Sequence, residues 1–187
     1  MLYVMPKTIK KKPTWTDLKR NLADLDRDAL IRLIHDLYSA GKDNQVFLHA
    51  RFGLGDDVLA PYKKIITRWV CPNVIRNQDI SVARAKKAIS DYNMAVGRPE
   101  GLAELSVFYC EACADLLSYC SMDDAGYFNA LVRMFEQALE AVSKLEPTQQ
   151  AMFVERLERV QNESDNWGWG VCDDMDELMT EYGFDET

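Results

Sequence analysis

At 187 residues the chain is long enough for one domain with a real core and short for two. Its 48% hydrophobic and 28% charged content is that of an ordinary soluble globular protein, and no apolar run approaches the ~20 residues a membrane span requires. Residues 1–98 hold 18 Lys+Arg against 10 Asp+Glu, and residues 99–187 hold 4 against 20, so nets of +8 and −16 underlie the total of −8. Two readings follow: the halves neutralise each other when packed, or the basic half meets an acidic partner such as nucleic acid.

The opening MLYVMPKTIKKKP reverses a signal peptide, with an apolar patch first and the lysines after it, which predicts a cytoplasmic protein. Five cysteines are then reduced thiols, not a disulfide framework. Residues 1–13 read as a flexible basic arm. TWTD at 14–17 has the spacing of a capping box, with Asp in the usual Glu place, and starts a short helix to about Asp24. Asp26 caps the next helix, in which Leu30, Leu33, Ile34 and Leu37 form a stripe to be buried. Gly41 ends it where a left-handed residue is cheapest. Asp43 restarts a helix to Phe52, stopped by Gly53, so residues 26–53 predict a tight antiparallel pair.

Asp56 or Asp57 opens a further helix with Pro61 in its first turn, Ile65, Ile66 and Trp69 inside, and Pro72 as its stop. The unpatterned stretch 72–80 reads as a mobile loop. From Ser81, helical spacing continues through Val82, Ala85, Ile89, Tyr92 and Val96 until Gly97. Pro99 to Cys120 is the organising stretch. Leu102, Leu105, Tyr109, Ala112, Leu116 and Tyr119 share one face, and Phe108, Cys113, Leu117 and Cys120 add a second strip. Only Glu104, Glu111 and Asp115 are left to meet water, so this helix must be covered on more than one side.

Asp123 or Asp124 caps the next helix, which carries Phe128, Leu131, Phe135 and Leu139, and Pro147 starts another. After Ser164 come a glycine-interrupted aromatic turn and a short acidic helix. No sustained period-2 alternation appears. The predicted fold is therefore all-α, an irregular bundle of about eight helices in antiparallel pairs forming one domain over 14–187. A short helical-repeat solenoid is the alternative.

Chemistry is sparse. His35-Asp36 invites comparison with metal-dependent phosphohydrolases, but these need further histidines, and only His49 remains. Cys110-x-x-Cys113 has redox or zinc spacing, yet it sits mid-helix and has no second pair, so both thiols read as small core hydrophobes. Asp173, Asp174, Asp176 and Glu177 are the densest carboxylates, and helix capping explains them better than Mg²⁺. Phe52-Gly53-Leu54-Gly55 lacks the Lys-Ser/Thr of a phosphate loop. Phosphate contact by Lys10, Lys11, Lys12, Lys19, Arg20, Arg84, Lys86 and Lys87 is the nucleic-acid alternative, without a reading helix or aromatic platform to support it.

Leu30–Gly53, LIRLIHDLYSAGKDNQVFLHARFG, resembles an uncharacterised bacterial family of small helical proteins, a domain of unknown function. KKAISDY (86–92), GLAELSVFYCE (101–111), YFNALVRMFEQAL (127–139) and WGVCDDMDEL (169–178) share that likeness in the same order. The resemblance implies a helical fold and supplies no activity, cofactor or catalytic residue.

The function expected is a non-catalytic helical module that binds another protein. Its candidate edge is the Trp167–Asp174 corner, with Trp167, Trp169, Asp173 and Asp174, because two tryptophans bring apolar area that the intervening glycines keep off any long helix. No cofactor or metal is assigned. Deleting residues 1–12, which offer little apolar surface, is expected to leave the melting temperature within a few degrees of the full chain. A drop of many degrees would mean that the arm is docked.

Overall fold

A computed structural model describes residues 12–184, and among them every regular element is helical. The chain divides into two compact units, with the boundary between Gln45 and Val46. Residues 1–11 of the arm lie outside the described residues.

In the first unit, α1 (Trp15–Ala23) opens on the capping box expected from TWTD. The Thr14 amide donates to Asp17 Oδ2 at 2.9 Å, and the Asp17 amide donates back to Thr14 Oγ1 at 3.4 Å. Asp26 Oδ1 accepts the Ala29 amide at 2.7 Å and caps α2 (Arg27–Ala40). The apolar stripe of α2 is not buried. Leu33 is 36%, Ile34 49% and Leu37 51% exposed, and α1 likewise contains no buried residue. Periodicity had marked a face for burial, but no described element of the first unit covers it.

The junction after α2 differs from expectation too. Gly41 is extended (φ −171°), not left-handed. The carbonyls at the end of α2 are instead met by side chains, Asn44 Nδ2 donating to Leu37 O and Gln45 Nε2 to Tyr38 O. These residues begin α3 (Lys42–Phe52), which carries the boundary between the units, so 26–53 is not one self-contained helix pair.

The second unit holds α4 (Ala60–Val70), α5 (Val82–Ala95), α6 (Pro99–Tyr119), α7 (Ala125–Val142), α8 (Pro147–Glu163) and α9 (Val171–Tyr182). Local chemistry sets their ends: Pro99 and Pro147 stand in the first turns of α6 and α8, and Asp124 accepts two amides at the start of α7. The unpatterned 72–80 stretch contains a single 3₁₀ turn, Val74–Arg76, closed by Asn77 in the left-handed region.

Helix α6 lies at the centre and packs against α4, α5, α7 and α8, while α9 packs on α7 and α8. In a solenoid each repeat touches only its neighbours. One helix met by four others is instead a bundle. Leu105, Val107, Tyr109, Cys110 and Leu116 of α6 are fully buried, with Leu131, Phe135 and Leu139 of α7 beside them in the core. The expected apolar face ends one turn early, because Tyr119 is 62% exposed.

Glu104 and Glu111 are not left to water. Arg156 of α8 bonds both, Nη1 to Glu104 Oε2 at 2.5 Å and Nη2 to Glu111 Oε2 at 2.7 Å, and Lys63 of α4 reaches Glu104 Oε1 at 2.6 Å. Burial alone would raise the Glu104 carboxyl, but hydrogen bonds from Arg156 and Lys63 outweigh it and hold the group below the usual range. A depressed folded-state value stabilises the protein above the unfolded value, about 4.3, and that contribution is lost as pH falls through the depressed one. Arg156→Met is therefore expected to destabilise by about 2–3 kcal/mol at pH 7 and by distinctly less near pH 3, in urea titrations. Equal losses at both pH values would mean that the ion pairs contribute nothing.

Candidate functional site

The corner between α8 and α9 is built by an unusual backbone. A 3₁₀ turn, Ser164–Asn166, extends α8, and the Trp167 amide closes on Ser164 O at 3.0 Å. Gly168, Trp169 and Gly170 then follow with φ of +77°, +57° and +68°. Glycine adopts that region freely, but Trp169 has a Cβ that meets its own carbonyl there, at about 1–2 kcal/mol. The strain persists because both flanks are anchored. Ser164 is buried and Trp167 packs against the core on one side, and Val171 and Met175 are buried on the other. Trp169 is left 59% exposed, and Trp167 is half-buried.

Carboxylates surround this ring in sequence. Asp173 and Asp174 are exposed in the first turn of α9, where the helix N-terminus favours negative charge, and Asp176 and Glu177 are exposed in the next. Asp165 Oδ1 accepts from Cys172 Sγ at 3.0 Å, which raises the thiol. Asp176 accepts from Gln161 Nε2. An open indole face attracts cations, and the acidic groups close to it in sequence favour the same charge. Among the described residues, no three His, Cys, Asp or Glu side chains converge as a metal ion would require.

The basic residues singled out in the sequence are divided between the two units. Lys10 and Lys11 lie outside the described residues, and Lys12, Lys19 and Arg20 are exposed in the first unit. On α5, Lys87 pairs with Asp91 at 2.6 Å. Lys86 points elsewhere and is half-buried, and burial and Arg133 both lower its pKa. Arg84 lies over the Trp69 ring at 4.2 Å from its centroid, and Arg68 of α4 lies over the same ring at 4.3 Å. Arg68 and Lys64 escaped the sequence reading, although their i, i+4 spacing on α4 was there to be seen.

The histidines and the paired cysteines lie elsewhere. His35 is exposed beside Asp36, with Nδ1 3.9 Å from Oδ1, and His49 lies in the other unit. Cys110 and Cys113 are fully buried; burial pushes the Cys110 thiol well up and that of Cys113 to about 12. No helix among the described residues is long and apolar enough to cross a membrane. Comparison of the chain with protein-family models, curated proteins and solved structures finds no match.

Variants that retain a single tryptophan test the corner directly. Trp169 alone is expected to be quenched by acrylamide nearly as freely as a solvated indole, and Trp167 alone several-fold less. Equal protection of both rings would close the corner as a binding edge.

Proposed function

We propose that this protein is a non-catalytic, cytoplasmic helical module that binds another protein through a basic segment, docked at the α8–α9 corner. The observation that supports it most is Trp169, a large aromatic side chain held in solvent on a left-handed backbone that a glycine would occupy without strain. A ring kept there at the expense of stability serves something other than folding. Exposed tryptophan is a frequent binding anchor, and Asp173 and Asp174 supply the complementary charge for lysine or arginine. The resemblance to a helical family without assigned activity agrees with this reading and adds no chemistry to it.

A protein of net charge −8 attracts any polycation, so the decisive variant keeps the charge. Trp169→Gly is expected to leave stability unchanged or raise it by up to about 1 kcal/mol, as relieved strain is set against glycine's added freedom when unfolded. The same change should weaken capture of a short Lys/Arg-rich peptide by about tenfold, read by fluorescence anisotropy. Trp167→Ala, by contrast, should cost about 2 kcal/mol of stability. Peptide binding equal to that of the unsubstituted protein would reject the corner.

A further inference from the structure

A second site lies away from that corner, in a groove of about 560 Å³ along α4. Its volume is within the range of ordinary small-ligand sites. Lys63, Lys64 and Arg68 line it from α4, Asn73 and Gln78 from the following loop, and Phe108 from α6. We propose that this groove binds a small phosphate-bearing ligand of about nucleotide size, with its phosphate on Lys64 and Arg68 and its organic part against Phe108 and Pro72.

The charge in the groove supports this reading. Lys63 is committed, at 2.6 Å from Glu104 and 5.0 Å from the centre of the Phe108 ring. Lys64 is exposed and carries no ion pair among the described residues. Arg68 is held without being neutralised, since Nη1 donates to Asp79 O at 3.2 Å and the guanidinium lies over Trp69. A guanidinium fixed by a carbonyl and a ring keeps both its full charge and its remaining N–H donors for an incoming oxyanion. The one carboxylate in the lining, Asp57, is turned to the start of α4, where Oδ1 accepts the amides of Leu59 at 2.8 Å and Ala60 at 3.1 Å.

The loop amides are set for the same task. Asn73 Oδ1 accepts the Arg76 amide and Gln78 Oε1 accepts the Asn73 amide, each at 3.2 Å. With both oxygens occupied, the two side-chain nitrogens remain as donors to phosphate oxygens. Phe108 and Pro72 supply an apolar wall for a base or another flat organic group.

A compact anion suits this site better than a polyanion. Residues 46–187 hold 13 Lys+Arg against 24 Asp+Glu, so the net charge of the second unit opposes a long polyanion. A small phosphate is screened from distant carboxylates within about 8 Å in physiological salt and feels mainly the local cations.

The test is titration of the full chain with AMP, inorganic pyrophosphate, adenosine and a long single-stranded oligonucleotide, each followed by amide chemical shifts. AMP is expected to shift resonances of residues 63–78 and to bind at least about tenfold more tightly than adenosine. Lys64→Ala, a solvent-exposed change, should weaken AMP about tenfold, while Arg159→Ala on α8 leaves it unchanged. Unperturbed spectra at about 10 mM AMP and pyrophosphate would overturn the proposal, as would equal affinity in Lys64→Ala. So would a response confined to long oligonucleotides and centred on Lys12, Lys19 and Arg20.

Discussion

The structure depends on covering a single helix. Helix α6 is 21 residues long and apolar around most of its circumference, so it stays folded only if several partners surround it at once. Close approach is possible because its faces alternate bulky residues with Gly101, Ala103, Ser106, Ala112 and Ala114, all buried. Gly101 shows how tight the fit is: a Cβ there would sit 1.9 Å from the Tyr92 hydroxyl, so any larger residue would force the Tyr92 ring of α5 to move. Among the exceptions to the apolar rule, Glu104 and Glu111 are seven residues apart and therefore on one side of the helix. Arg156 bridges them from α8, converting the one polar stripe of the central helix into a further attachment.

The corner and the groove are both consequences of that arrangement. Helix α4 packs on α6 with one face and turns Lys64 outward, so the groove forms where α4, Phe108 and the loop after α4 meet. Helix α9 reaches the bundle through α7 and α8, and its buried Val171, Met175 and Met179 fix the start of the helix. With Trp167 packed on the other side, the three left-handed residues between have no freedom to relax, and Trp169 is held out in solvent.

Much of this was legible in the sequence wherever the cause is local. Thr14 and Asp17, Asp26, Asp124, Pro99 and Pro147 mark helix ends because a cap or a missing N–H acts within one turn. The centrality of α6 was legible because apolar residues on all sides demand cover. The rest depends on what comes from elsewhere in the chain. Leu33, Ile34 and Leu37 make a stripe, but periodicity does not say whether anything arrives to cover it. The partners of Glu104 are 41 and 52 residues away, beyond any spacing rule. The strain at Trp169 could not be read from WGWG, which marks the glycines but not the ring between them. By contrast, the separation of Lys86 from Arg84 and Lys87 follows from helical phase and was there to be found.

Native-state hydrogen exchange measures the claim about α6 most directly. Amides of residues 105–116 are expected to be the slowest in the chain and to open only with global unfolding, while those of α1 and α2 exchange through far smaller fluctuations. Denaturant dependence should give the α6 amides the full unfolding slope. If the amides of α6 exchanged through a local opening while those of α7 or α8 remained protected, the bundle would not be organised around that helix.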